Sequence, residues 1–92
     1  MIIRVRAFAQ FKELIGNDLL VELKEGMSVM MLLRQLADNK PDVHEAFFDQ
    51  SGELKEYVIL MVNKKRIPRD HTVEYALHNG DEVAVFPPVA GG

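Results

Sequence analysis

The spacing of apolar residues constrains the fold of this chain more than any other feature, because the spacing changes between segments. Apolar side chains recur at every second position in residues 2–9 and again in residues 81–86, the pattern of a β-strand with one buried face. Behind Ser28 they recur at every third or fourth position. We therefore expect a helix over residues 29–39 that begins at a Ser28 N-cap and ends before Pro41.

The remaining segments complete an α+β pattern. Residues 10–15 fit a short helix stopped by Gly16, and residues 18–23 alternate as a second strand. The continuous apolar run 57–62 indicates a strand that is covered on both faces or meets a partner, and 63–66 reads as a polar turn. Residues 42–56 carry no clear period.

The order of these elements predicts a roll in which one main helix packs on a mixed sheet of about four to five strands. We expect the first and last strands to lie side by side in the middle of that sheet. A chain of 92 residues is the size of one domain. We divide it into a folded domain over residues 1–86 and an extended tail over residues 87–92.

Composition narrows the functional classes. The chain has no cysteine, which excludes disulfides, thiolate metal sites and a cysteine nucleophile, and its net charge of -3 argues against nucleic-acid binding. The first residues place charges inside an apolar run, unlike a signal peptide, and no apolar stretch approaches the ~18 residues of a membrane span. We expect a cytoplasmic protein that binds no membrane.

The side chains of the folded domain show no catalytic constellation. Three histidines, His44, His71 and His78, lack the spacing of a metal site. The acidic pair 81–82 fits a solvated turn at a strand start, because paired-carboxylate chemistry needs a pocket. The basic run 64–66 fits either a solubilising turn or a charge that steers an acidic partner.

The tail is the exception. Pro87 and Pro88 favour an extended backbone, and the six residues after Phe86 can reach at most about 20 Å. Gly91 and Gly92 have no Cβ and could pass a narrow channel, with Val89 packing against its wall. We therefore predict that the carboxylate of Gly92 is the reactive group, although an inert, frayed end on a plain binding module is the alternative.

A carboxylate must be activated before it reacts. The plausible route is adenylation by ATP on a separate enzyme, followed by transfer to a sulfur or amine nucleophile. A thiocarboxylate on Gly92 would then carry sulfur to a site where tethering raises its effective concentration. In this interpretation the chain binds no cofactor itself and is not catalytic alone.

Two segments carry a family resemblance. FAQFKELIG, residues 8–16, and NGDEVAVFPPVAGG, residues 79–92, closely resemble the small subunit of molybdopterin synthase, a family with the ubiquitin-like β-grasp fold. The helix SVMMLLRQLA and the strand VILMVN extend the resemblance more loosely over essentially the whole chain.

The resemblance implies a function in molybdenum cofactor biosynthesis. An E1-like adenylating enzyme would activate Gly92, and the resulting thiocarboxylate would enter the large subunit within a heterotetramer of two small and two large subunits. There it would donate sulfur to cyclic pyranopterin monophosphate, two sulfurs for each dithiolene of molybdopterin. The chain would thus be the sulfur donor of a sulfurtransferase whose catalytic side chains lie in the large subunit.

The resemblance also implies a docking surface. Phe8 and Phe86 alternate out of phase with the buried aliphatic residues of their strands, so both should point away from the helix and, with the tail from Pro87 to Ala90, contact the partner. The alternative is that residues 42–56 cover the two rings. Arg66 departs from the family pattern, where an apolar residue is common, and suggests an acidic group on the partner.

Three other functions remain open. The same activated Gly92 could be joined to lysines of target proteins, as in archaeal ubiquitin-like modifiers. It could also carry sulfur for thiamine synthesis, or for a tungsten-pterin pathway with the same dithiolene chemistry. The FPPVAGG ending favours the molybdopterin pathway by resemblance alone.

Overall fold

The computed structural model describes residues 1–87, and within them a mixed five-stranded sheet packs against helices. The strands are β1 (Ile2–Ala7), β2 (Asp18–Glu22), β3 (Ile59–Val62), β4 (Lys65–Ile67) and β5 (Glu82–Phe86). Their order across the sheet is β2-β1-β5-β3-β4. The central strands β1 and β5 are parallel, and the other neighbouring pairs are antiparallel. The expected α+β roll, with its first and last strands adjacent, is confirmed.

The described helices are α1 (Gln10–Ile15), α2 (Val29–Ala37) and α3 (Pro41–Phe47), with a 3-10 turn at Arg69–His71. The Ser28 hydroxyl accepts a hydrogen bond from the Met31 backbone N–H at 3.2 Å, which makes it the expected N-cap of α2. At the end of α1, Gly16 adopts φ 97° and its N–H donates to the Lys12 carbonyl, a conformation that favours glycine.

The core lies between one face of the sheet and the helices. Every second residue of β1 and β5 is fully buried, and these side chains share one apolar cluster with the inward faces of α2 and α3. Burial of each such aliphatic side chain contributes about 1.5–3 kcal/mol. The ring of Phe47 on α3 stacks on Phe11 of α1 at a centroid distance of 5.1 Å. The core therefore ties the helices to the sheet and leaves the opposite sheet face outside.

Three sequence predictions about elements need correction. Helix α2 ends at Ala37, before the predicted residue 39, because Asp38 turns to an extended backbone with ψ 125° and Asn39 then adopts a left-handed φ of 57°. Pro41 was predicted only to end α2, and residues 42–56 showed no clear period, yet Pro41–Phe47 form α3 with Pro41 in its first turn, a position that proline favours. The turn predicted over 63–66 is confined to Asn63 and Lys64, because the next residues pair with β3 as β4.

The described helices are all short. Within residues 1–87 no helix is both long enough and apolar enough to cross a membrane.

Candidate functional site

The sheet surface opposite the helices, here called the outer face, is the candidate site. Alternation along the strands places polar and apolar side chains on it in register with one another. Its residues on the four strands from β1 to β4 across the sheet, together with the residue after β1, are Ile2, Arg4, Arg6, Phe8, Ile59, Met61, Arg66, Glu82, Ala84 and Phe86.

The outer face is built around an aromatic pair. The rings of Phe8 and Phe86 stack with centroids 4.4 Å apart and an interplanar angle of 6°. The Phe8 N–H continues the β1–β5 ladder by donating to the Val85 carbonyl at 3.2 Å, which fixes the two side chains next to each other. Both rings are half-buried, and Ile59 of β3 lies opposite Phe86. These contacts form an apolar surface at the end of β5.

A shallow hollow lies beside the aromatic pair. Ala84 of β5 is paired with Arg6 on one side and with Met61 on the other, so a methyl group stands between two long side chains. The hollow has a volume of about 150 Å³. Its lining residues are Arg6, Phe8, Met61, Lys64, Glu82, Ala84 and Phe86. The small side chain at the middle of the row thus leaves space that a partner side chain can fill.

Charged groups surround this apolar centre. Arg4 is paired with Asp18 of β2 by two hydrogen bonds, Nε to Oδ1 at 3.0 Å and Nη2 to Oδ2 at 2.6 Å. The hydrogen bond from Arg4 is the main reason why the pKa of Asp18 is lowered, and the same contact raises the pKa of Arg4. By contrast, Arg6, Lys64 and Arg66 have no carboxylate within 4.0 Å among residues 1–87.

The turn that presents Lys64 is braced from β5. The Asn63 amide donates to Asp81 Oδ1 at 2.9 Å, and Asn63 Oδ1 accepts from the Glu82 N–H at 3.0 Å. Asp81 also accepts from the His78 N–H at 2.8 Å. The acidic pair predicted to sit in a turn therefore has a structural role, and it holds Lys64 at the margin of the hollow.

The structure brings together part of the predicted site. Phe8 and Phe86 are adjacent on the outer face, as expected, and Pro87 follows half-buried at the end of β5. Pro88, Val89, Ala90, Gly91 and Gly92, including the predicted reactive end, lie outside the described residues. Segment 42–56 does not cover the rings, because its large apolar side chains are buried in the core on the other side of the sheet.

Sequence reasoning did not identify Ala84 as a site residue, and it interpreted Lys64 only as part of a basic run that was either a solubilising turn or a charge steering an acidic partner. Alternation alone places Ala84 on the outer face, but its position between Arg6 and Met61 depends on the cross-strand register. The role of Lys64 depends on a two-residue turn with positive φ at both positions. No group of three or more histidine, cysteine, aspartate or glutamate side chains in residues 1–87 could hold a metal ion.

Comparison with known proteins identifies the family. The model of the ThiS family matches residues 5–92, which is nearly the whole chain. The chain belongs to the ThiS family.

Two full-length relatives of this ThiS family member carry different names. It is 37% identical over 90 residues to the molybdopterin synthase sulfur carrier subunit of Escherichia coli strain K12, covering 98% of this chain and 99% of that protein. It is 32% identical over 93 residues to small archaeal modifier protein 3 of Haloferax volcanii, with 100% of both chains covered.

Solved structures confirm the β-grasp architecture. The crystal structure of SAMP1 from Haloferax volcanii superposes with a TM-score of 0.85 at 27% identity, covering 100% of both chains. A complex of subunits 1 and 2 of the molybdopterin-converting factor from Helicobacter pylori 26695 contains a chain with a TM-score of 0.62 at 23% identity, again with 100% of both chains covered. The ThiS family member therefore has the fold that its sequence predicted.

Proposed function

We propose that this protein is the sulfur carrier subunit of a molybdopterin synthase and that a thiocarboxylate on Gly92 is the sulfur donor. One observation of the structure carries the proposal. The half-buried rings of Phe8 and Phe86 form an apolar surface on a sheet face that no described helix covers, and this surface lies where β5 ends and the tail begins. A partner that binds the outer face is thereby positioned to receive the residues that follow.

The chemistry proceeds in two stages. The Gly92 carboxylate attacks the α-phosphorus of ATP on an E1-like adenylating enzyme, which gives an acyl adenylate and pyrophosphate. A sulfide then attacks the acyl carbon and displaces AMP, leaving a thiocarboxylate. In the synthase, the large subunit binds the pterin substrate. Two carriers, each with a thiocarboxylate, supply the two sulfurs of one dithiolene.

In this function the folded domain binds the partner and positions the tail for it. Exposed or half-exposed aromatic residues on a sheet face are typical of protein interfaces, and no catalytic arrangement is evident among the side chains of residues 1–87. Support for the synthase as partner comes from the relative named as its sulfur carrier subunit and from the similar chain found in a two-subunit complex.

Intact-mass spectrometry tests the carrier role. After incubation with ATP, sulfide and the activating enzyme from the same genome, we expect a gain of about 16 Da, the exchange of one oxygen for sulfur in an activated carboxyl group. A variant lacking Gly92 is the control and should gain nothing. The proposal would be contradicted if the mass of the intact protein stays unchanged under conditions that convert a known carrier to its thiocarboxylate.

Modification of other proteins is the second candidate, because one full-length relative is named a small archaeal modifier protein. In that function the activated Gly92 forms an isopeptide bond with a lysine of a target. Immunoblots of cells expressing a tagged protein distinguish the two candidates. Ladders of conjugate bands that disappear when Gly92 is deleted indicate a modifier. If no such ladders form and the protein restores molybdopterin synthesis, it is the synthase subunit.

A further inference from the structure

We propose that the hollow over Ala84 is an anchor pocket that receives one apolar side chain of the docking partner, and that carboxylates beside that side chain pair with Arg6, Lys64 and Arg66. The inference deepens the proposed function and rests on it for the identity of the partner. It specifies what the partner surface must look like: an apolar projection ringed by acidic residues.

The shape of the hollow indicates one inserted side chain. Ala84 forms its floor, Met61 forms one wall, and the stacked rings of Phe8 and Phe86 form the end nearest the tail. A volume of about 150 Å³ is too small for a substrate but is suited to a single aliphatic or aromatic group. Interface hot spots characteristically fill such pockets near the centre of a docking surface.

The charges around the hollow indicate the sign of the charge on the partner's surface. The whole chain has a net charge of -3, yet cations predominate at this margin. Arg6 and Lys64 line the hollow, and Arg66 extends from β4 beside Met61. Glu82 is the single carboxylate among the described lining residues, and the carboxylate of Asp18 is already paired with Arg4.

A local excess of positive charge on an acidic protein is unfavourable for binding a basic surface and favourable for binding an acidic one. The cations also lie on two sides of the hollow. Arg6 lies over the edge of the aromatic pair, with its guanidinium carbon 5.8 Å from the centroid of the Phe8 ring. Lys64 is held at the opposite margin by the Asn63 turn. The partner's carboxylates would therefore meet donors on two sides of the same pocket.

A zero-length cross-link tests the charge complementarity. A carbodiimide joins the Lys64 amine to a carboxylate in direct contact, with loss of water to the reagent. In complexes with the large subunit and with the activating enzyme of the same genome, we expect cross-linked peptides that join Lys64 to an aspartate or glutamate. Lys64→Arg keeps the positive charge but has no amine, so binding should persist and the cross-link should disappear. Efficient binding without any Lys64 cross-link would overturn the inference.

Binding kinetics test the pocket and the charges separately. We expect Ala84→Leu, which fills the hollow, to weaken partner binding at least tenfold, whereas Ala84→Ser keeps the hollow open and binds nearly as the wild type. We expect Lys64→Glu with Arg66→Glu to slow association at least tenfold at low salt. The difference should shrink near 1 M salt, where charges are screened beyond about 3 Å.

The control for net charge is Lys12→Glu with Lys40→Glu, which makes the same change on exposed residues outside the outer face. An equal slowing by this pair, or unchanged binding by Ala84→Leu, would contradict the inference. The pocket and the molybdopterin assignment can fail separately. If the activating enzyme binds through the pocket and the large subunit does not bind, the molybdopterin assignment fails and the pocket remains. If both proteins bind but ignore the substitutions, the pocket fails and the assignment remains.

Discussion

Among the residues of the outer face, Arg4 differs from the other cations because its charge is already engaged. Its guanidinium holds both oxygens of Asp18 across the β1–β2 pair. The contact is exposed, so water and salt weaken it, and its contribution to stability is small. Its consequence for function is that the free cations of the outer face stand on two sides of the hollow, Arg6 on the β1 side and Lys64 and Arg66 on the β3–β4 side.

We predict that Asp18→Asn lowers the melting temperature slightly at neutral pH and that the difference vanishes in acid. The pKa of Asp18 is lowered in the folded protein, so its ionised form stabilises the fold above the unfolded pKa. That stabilisation is lost as the pH falls through the lowered pKa. Thermal unfolding of both proteins from pH 7 to pH 2 checks this. Asp38→Asn is the control, since Asp38 has no ion pair among residues 1–87.

Single residues of the site were predictable where one strand alone decides their direction. The alternation of β1 and β5 is enough to point Phe8 and Phe86 outward. Ala84 was not predictable as a pocket floor, because its neighbours Arg6 and Met61 come from strands that are distant in sequence. Their meeting is a property of register, which no local pattern encodes.

At the scale of elements, α3 fixes α1 against the sheet. Phe47 is fully buried, stacks on Phe11 and meets Phe48 edge-on at 6.1 Å. The short helix α1 is too brief to be stable alone, and Phe11 is its one fully buried residue. Because only Ala9 separates Phe8 from α1, this packing also helps to set the position of the aromatic pair.

We predict that Phe47→Ala destabilises the protein by about 3–5 kcal/mol, the cost of removing a large buried ring and leaving a cavity. Urea unfolding followed by circular dichroism measures the change. The matched substitution Glu45→Ala, at an exposed position of the same helix, should change the stability by no more than about 0.5 kcal/mol. A loss below about 1 kcal/mol for Phe47→Ala would show that the aromatic cluster does not support the fold.

Elements with a clear apolar pattern, whether alternating, helical or continuous, were predictable, whereas α3 and β4 were not. The bounds predicted for α1 are those observed, Gln10–Ile15. Helix α3 was missed because Pro41 signals both the end of one helix and the start of another. Strand β4 was missed because its lysine and arginine resemble a turn. Charged side chains are nevertheless common on edge strands, where they discourage pairing with other chains.

At the scale of the whole molecule, one apolar cluster connects the strands of the sheet. The buried cluster extends from Ile3 to Val85 and joins strands from both ends of the chain. None of its described members lies in the tail. We expect a change at Gly92, which lies outside the described residues, to leave this core unaltered.

We therefore predict that deleting Gly92, or adding one alanine after it, changes the stability by no more than about 0.5 kcal/mol while abolishing sulfur transfer. Molybdopterin synthesis reconstituted with the large subunit measures the activity, and urea unfolding measures the stability. Val89→Ile is a control that leaves the terminal glycines in place and should fold normally. Activity in the extended variant would show that the reactive group is not at Gly92.

The parallel arrangement of β1 and β5 has a mechanical consequence. The amino end of β1 and the carboxyl end of β5 lie at opposite ends of the same ladder, so tension applied between them loads the hydrogen bonds in shear rather than one at a time. An unfolding machine that pulls on this protein from behind β5, with the amino end anchored, must break the whole ladder together. Force spectroscopy with handles at the two ends would register that resistance as a single rupture at high force.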